Sequence, residues 1–283
     1  MTNTMDPEIL IRWVGRSETA TDMIRTAPAN LMEMTLDREP VLREGDPLPP
    51  LWHWLYFWEI TPGAGLGPEG HTALGDFLPD LGLPRRMWAG SRVQFLRPLT
   101  IGGAAERRTR IADIREKQGR SGRLVFVTLS HEIADGDGVA VREEQDIVYR
   151  PAPPAGETPQ PGRPAPAAAA WRRRVLPDPV LLFRYSALTF NSHRIHYDAD
   201  YTRQREGYPG LVVHGPLLAT LMVEQVRRER PEARVGAFRF RALAPVLSGA
   251  AFTVAGAPDD GGAAVWVAGP TGGLAMDGRV DFA

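Results

Sequence analysis

The sequence predicts an α+β protein made of two similar halves, each a curved antiparallel sheet around one central helix. Three observations carry this. Two stretches show strands of alternating polar and apolar residues joined by glycine-rich turns. One helical segment is apolar nearly all round, as a helix enclosed by a sheet must be. The halves also share a local pattern, "RPLTIGG" around Pro98 and "APVLSGA" around Pro245, a proline and then a glycine four residues later, each after an aromatic strand. Such self-similarity points to an internal duplication.

In chain order, the first half spans 1–150. Its helix candidate is "ETATDMIRTAPANLMEMTLD", Glu18 to Asp37. Its strands are "SRVQFLRPLTIGG", "ERRTRIADIREKQG", "GRLVFVTLSHEIADGDG" and "VAVREEQDIVYR", with turn chemistry at Gly119 to Gly122 and Asp135 to Gly138. This is an antiparallel meander with one buried face. At 151–171 proline, alanine and glycine replace the alternation, a composition that buries too little apolar surface to order itself, so the segment reads as a linker.

The second half, 172–283, holds "VVHGPLLATLMVEQVRRERPEA". Pro216 suits a first helical turn, with His214 or Gly215 as cap, and Leu217, Leu218, Leu221, Met222 and Val226 recur at helical spacing. Arg227, Arg228 and Arg230 complement the negative helix end, and Pro231 stops it. The strands that follow are punctuated by "DDGG" and "TGG" turns. Sheet, buried helix and repetition together make a double hotdog arrangement.

Composition narrows the function. With 283 residues and 43 % hydrophobic content the chain builds a full core without staples. Acidic and basic residues nearly cancel, 34 against 33, which disfavours nucleic acid and anionic membranes as partners. There is no cysteine, so disulfides, thiolate metal sites and a cysteine nucleophile are excluded. The start, "MTNTMDPEILIRWVG", lacks the pattern of a secretory signal, and no apolar run has membrane-spanning length. A cytoplasmic protein is expected.

The chemistry concentrates in "TFNSHRIHYD", Thr189 to Asp198, just ahead of the apolar helix. Asn191 and His196 are five residues apart with His193 between them, and His214-Gly215 opens the helix. Adding or removing water at a double bond conjugated to a carbonyl needs a proton carrier and donors aimed at the oxygen where enolate charge develops. His196 suits the first task, its ordinary pKa lying near neutrality. Asn191 offers a carbonyl to orient a water and an amide donor, but carries no proton. Gly215, at a helix start, can present a backbone N–H. No metal-site spacing appears among the six histidines, which look scattered.

"RYSALTFNSHRIHYD" followed by "YPGLVVHGPLLATLM" resembles the hydratase segment of the MaoC-like double-hotdog family, in its branch of mitochondrial-type 3-hydroxyacyl-thioester dehydratases and mesaconyl-C4-CoA (3-methylfumaryl-CoA) hydratases. "GDPLPPLWHWLYF", Gly45 to Phe57, resembles that branch's N-terminal half. The resemblance implies a thioester hydratase or dehydratase whose N-terminal hotdog has lost its catalytic residues and shapes the acyl pocket. It places the catalytic histidine at His196 and the glycine amide of the thioester oxygen at Gly215. The family's catalytic aspartate falls on Asn191, and its asparagine and proline fall on His193 and Arg194. His196 then either moves both protons through the attacking water or is assisted by His193 or another group. His214 is expected among the substrate-binding residues, shaping the loop more than the chemistry. The substrate is an acyl-CoA thioester, and no cofactor is expected because coenzyme A is part of that substrate.

Other residues carry two readings. Arg184 and Arg194 suit a second carboxylate on the acyl chain, or simple surface charge. Tyr185 and Tyr208 can point hydroxyls into the pocket or merely pack. Trp52, Trp54, Tyr56, Phe57 and Trp58 line a tunnel or fill a core, and Arg85 and Arg86 meet coenzyme A phosphates or form a solvated turn. The first expectation is a hydro-lyase acting on 3-methylfumaryl-CoA or itaconyl-CoA. Its rivals are a dehydratase of fatty-acid synthesis, a non-catalytic thioester-binding protein and a thioesterase. A duplicated chain is compatible with a monomer of two halves or with a homodimer.

Overall fold

The computed structural model describes residues 10–119, 122–152 and 163–283. The centre of the expected linker, the tip of the Gly119–Gly122 turn and the first nine residues, on which the leader reading rests, lie outside these. Ten antiparallel strands form one sheet: β1 (Ser17–Met23), β2 (Arg85–Phe95), β3 (Ala104–Gly119), β4 (Gly122–Asp135), β5 (Gly138–Arg150), β6 (Trp171–Val175), β7 (Val235–Ala242), β8 (Phe252–Asp259), β9 (Gly262–Ala268) and β10 (Leu274–Phe282). Their order is β1-β3-β4-β5-β2-β7-β10-β9-β8-β6. Counted within its own half, each half therefore runs first, third, fourth, fifth, second.

The two expected sheets join edge to edge. Gly90–Gln94 of β2 pairs with Ala237–Arg241 of β7, so each half satisfies the edge the other would leave open. The resemblance around Pro98 and Pro245 also proves structural. The N–H of Leu48 donates to the carbonyl of Leu99 at 2.7 Å, and that of Val213 to Val246 at 2.8 Å, in matching places.

Four α-helices are described: α1 (Thr26–Thr35), α2 (Pro179–Leu188), α3 (Ala199–Gln204) and α4 (Gly215–Glu229). Helix α4 is the enclosed one. Every residue from Leu217 to Val226 is buried, and the helix packs on β6 to β10. Its buried Glu224 is answered by Arg38 and Arg227, both at 2.5 Å.

The first half departs from expectation. The helix expected over Glu18–Asp37 opens as strand β1, and only Thr26–Thr35 is helical. That helix is the counterpart of α2, not of α4, and packs against α2. Both end in the same way. Asp37 and Phe190 adopt positive φ, 56° and 50°, and the following residues close six-residue loops, Arg38 N–H to Glu33 and Asn191 N–H to Ser186. Where the second half starts α4, the first has Pro50 and then only a 3-10 turn, Trp52–Leu55. Among the described residues the first half has no counterpart of α4 over β3, β4 and β5, and Arg107, Thr109, Leu129, His131, Ile133 and Glu143 on their inner face line a cavity of about 1310 Å³.

The described end of the linker is held. Leu274 N–H donates to the Arg163 carbonyl at 2.7 Å, and Ala165 N–H to Gly272 at 3.0 Å.

Candidate active site

Helix α2 starts because Asp178 accepts from the Leu181 N–H at 2.8 Å, with Pro179 in the first turn. It ends on Phe190, a bulky residue in the left-handed region, where strain of about 1–2 kcal/mol is usual. The chain turns sharply there and carries Asn191 into the cavity. Asn191 Oδ1 accepts from the His193 N–H at 3.0 Å. Its acceptor is thus engaged by the loop, and the amide NH₂ is the part left for the cavity. A single 3-10 turn, Arg194–His196, then brings His196 against the start of α4.

His196 is 6 % exposed. Its Nδ1 lies 2.7 Å from the carbonyl of Val212, a group that can only accept, so Nδ1 carries the proton and Nε2 keeps its lone pair. Burial holds its pKa down to about 4, against a smaller opposing effect of the Val212 bond. At neutral pH His196 is an unprotonated base. His214 stacks on it, centroids 3.6 Å apart, and is fixed by a 2.8 Å hydrogen bond between its Nε2 and Ser186 Oγ. His193 stands edge-on to His196 at 5.4 Å, and His71 lies 4.5 Å from His193. Four histidines that look scattered in sequence therefore form one run. Burial also lowers His193, to about 3, and His214.

The sign of these shifts sets a pH dependence. A histidine whose pKa falls on folding resists a proton that the unfolded chain accepts. The stability it contributes is complete above the ordinary value of 6.5 and is lost as pH falls toward about 4. Thermal unfolding followed by circular dichroism is expected to show Tm level above neutrality and falling steadily below pH 6.5. A Tm that is flat between pH 7 and pH 5 would contradict neutral burial of these rings.

Gly215 lines the cavity as the first residue of α4. Its N–H has no intrahelical acceptor, and Pro216 behind it has none to offer, so the helix presents this donor with its positive dipole end.

Tyr185 and Tyr208 also line the cavity, both buried, and Arg85 lies over the Tyr208 ring at 5.4 Å. His214 does not; it packs behind His196. With His214, three residues expected to bind substrate lie outside the cavity. Arg184 is exposed, because α2 buries Leu182, Tyr185, Ser186 and Leu188 and turns Arg184 to solvent. Arg194 is bound to Asp198 at 2.7 Å and lies over Tyr201 at 4.0 Å, outside the cavity. Arg85 and Arg86, by contrast, are not a solvated turn. They begin β2 and line the cavity, Arg85 paired with Glu206 at 3.0 Å. The aromatic run divides: Trp54, Tyr56, Phe57 and Trp58 reach the cavity and Trp52 is core.

Sequence reasoning missed the opposite wall. Glu143 is buried and accepts from Ser91 Oγ at 2.8 Å, Trp54 Nε1 at 2.9 Å and His53 Nε2 at 3.2 Å. Burial pushes its pKa up, but the His53 bond and the nearby His53 and His131 pull it further the other way, to about 2. His131 is bonded to Thr109 at 2.9 Å and Gln145 at 3.1 Å. The signal was present. Val125, Val127, Leu129, His131 and Ile133 alternate along β4, and His131 and Glu143 occupy inward positions normally kept for apolar side chains.

Comparison with known proteins agrees with this architecture. The family described as hydroxyacyl-thioester dehydratase type 2 matches residues 51–248. A mesaconyl-C(4)-CoA hydratase of Chloroflexus aurantiacus is 44 % identical over 271 residues, covering 95 % of this chain and 96 % of that protein. The mitochondrial hydroxyacyl-thioester dehydratase type 2 of Schizosaccharomyces pombe is 27 % identical, covering 71 % of this chain and 74 % of its own. Among solved structures, a MaoC-like dehydratase from Phytophthora capsici superposes with a TM-score of 0.71 at 16 % identity, covering 99 % of both chains. A Mycobacterium tuberculosis protein described as a double hotdog gives a TM-score of 0.56 at 16 % identity, covering 95 % of this chain and 96 % of its own. These last two likenesses bear on the fold. The chain belongs to the hydroxyacyl-thioester dehydratase type 2 family.

Proposed function

We propose that this protein is a cytoplasmic hydratase that reversibly adds water to an enoyl-CoA thioester, with the short branched dicarboxylic ester 3-methylfumaryl-CoA (mesaconyl-C4-CoA) as substrate. The observation that carries the reaction is the fixed tautomer of His196. With Nδ1–H held by Val212, Nε2 is free to act as a base in the cavity that Asn191 and Gly215 also line.

In the hydration direction, His196 Nε2 takes a proton from water as the water oxygen bonds to the β-carbon. The double-bond electrons move toward the thioester oxygen, where the Gly215 N–H stabilises the developing charge. His196 then returns its proton to the α-carbon, so that one water is added and the base is restored. Asn191 orients the water as a donor. No step calls for a cofactor beyond the coenzyme A that the substrate carries.

The substrate follows from the 44 % identical relative and from the cavity. On its far wall Arg107, His131, Gln145 and Glu143 stand among Leu129, Ile133 and Ile147 and interrupt the apolar lining that a fatty chain would need. Burying methylenes against such groups displaces water from charges that gain nothing in return. The polar wall favours a short acyl group with a polar end over the dehydratase of fatty-acid synthesis, which the yeast relative supports only distantly. A panel of enoyl-CoA esters tests this: hydration should be fastest with the branched five-carbon dicarboxylic ester 3-methylfumaryl-CoA and fall with each added methylene. A rate that rises with chain length would replace this reading with the fatty-acyl one.

Asn191→Asp is expected to fold normally, because one carboxylate oxygen can accept the His193 N–H as the amide oxygen does, and to remain active, because the other can orient the water by accepting a hydrogen bond from it in place of the amide's donation. Steady-state kinetics check this. Complete inactivity would show that the amide donors are needed.

A further inference from the structure

The proposed substrate carries a second carboxylate on the carbon that water attacks, so its counter-charge must lie near the loop 191–196. Neither expected arginine serves: Arg184 faces solvent and Arg194 is taken by Asp198. Arg85 is committed to Glu206, Arg107 sits on the far wall over Phe57 at 5.6 Å, and Arg150 stands across from Arg85 in the β2–β5 pair; Arg107 and Arg150 share an unpartnered buried Nε with Arg86, but Arg86 is the one whose charge acts on His193. Arg86 remains. From β2 its Nη2 donates to the carbonyl of Thr72 at 3.1 Å, and the neighbouring His71 ring is 4.5 Å from His193, itself 5.4 Å from His196.

Arg86 is incompletely satisfied. Its only ion-pair partner among the described residues is Glu69, at 3.5 Å, longer than a good charge-assisted hydrogen bond. Its Nε is buried with no partner. The His193 ring faces the same cavity, with no hydrogen-bond partner for either ring nitrogen among the described residues. A largely buried guanidinium with a free Nε–H, next to a neutral imidazole that can give one more donor, offers the donor set that a carboxylate takes.

Resting on the hydratase reading above, we infer that Arg86, with His193 beside it, binds the second carboxylate of the acyl group and makes the enzyme selective for dicarboxylic over monocarboxylic enoyl thioesters. The guanidinium fork orients the β-carbon toward the water held by His196. It also rejects esters that end in a methyl group, which would leave the arginine buried and unanswered.

The test compares 3-methylfumaryl-CoA with crotonyl-CoA, which has the same reacting bond and no second carboxylate, in wild type, Arg86→Met and Arg86→Lys. Wild type should prefer the dicarboxylic ester. Arg86→Met should lose about 10-fold or more in kcat/KM for that ester, mainly through KM, and stay within about threefold for crotonyl-CoA. Arg86→Lys, keeping the charge without the fork, should fall between. In wild type alone, succinyl-CoA should inhibit more tightly than butyryl-CoA, a comparison that needs no variant to fold.

An equal rise in KM for both esters would assign Arg86 to the coenzyme A phosphates and overturn the inference. Equal loss of kcat on both would assign it to structure, with the same result. A wild-type preference left intact by Arg86→Met overturns Arg86 alone, whereas a wild-type enzyme with no preference between the esters overturns the dicarboxylic substrate as well.

Discussion

His196→Ala lowers kcat for hydration by about 100-fold or more, the usual contribution of a positioned general base. The substitution removes the one group whose lone pair is both free and oriented: Nδ1 is engaged by Val212, and burial keeps the ring neutral at working pH. His193 cannot replace it without a tautomer fixed toward the same water. His196→Gln should fall as far, since an amide keeps a donor but has no proton to exchange. Circular dichroism and Tm should show both variants folded. Activity within a few-fold of wild type in either would remove His196 from the mechanism. The acid limb of kcat/KM gives a second check, because a base with a pKa of about 4 places it well below the 6.5 of an ordinary histidine.

Glu143→Ala destabilises the protein by about 3–5 kcal/mol, the cost of removing one member of a buried charged network. Three donors, Ser91 Oγ, Trp54 Nε1 and His53 Nε2, lose their acceptor at once in a place water reaches poorly. Since Trp54 packs edge-on against Trp88 at 5.0 Å and Trp88 belongs to β2 beside the joint with β7, the loss should loosen the seam between the halves. Urea unfolding measures it. The sign of the pH effect is fixed as well. The carboxyl's pKa falls on folding from 4.5 to about 2, so its contribution is present above 4.5 and is lost as pH falls toward 2. A change under 1 kcal/mol would show that water replaces the carboxylate as partner of these three donors.

Much of this was legible in sequence, for physical reasons. A helix apolar on every side has nowhere to go but inside a sheet, and α4 is there. The run from Thr189 to Asp198 drew attention because asparagine and two histidines so close together rarely serve packing, and Asn191, His193 and His196 do meet at one cavity. What stayed hidden was long-range. The sequence from Glu18 to Asp37 has helix-favouring residues, yet Ser17–Met23 is a strand because β3 offers an edge to pair with, a fact outside local propensity. The loss of the first half's central helix could be read only once Pro50 was seen to occupy the position of Gly215. Without an N–H there, the first half has no counterpart of the proposed oxyanion donor. Arg38 stands where the second half has Asn191, turned to a structural use with Glu224. His71 looks like an ordinary surface residue, and Arg86 like a coenzyme A contact or a solvated turn, until the loop at 67–72 is brought against 192–194, where Arg194 N–H donates to the Glu69 carbonyl at 2.9 Å.

The most direct measurement is the conversion of 3-methylfumaryl-CoA by the purified protein in ¹⁸O-labelled water, followed by mass spectrometry of the intact thioester and by a free-thiol assay. The account predicts a product heavier by one labelled water, no release of thiol, and loss of the reaction in His196→Ala. Thiol release would make the protein a thioesterase, and binding of the ester without any mass change would make it a carrier; either result contradicts a hydratase built on His196.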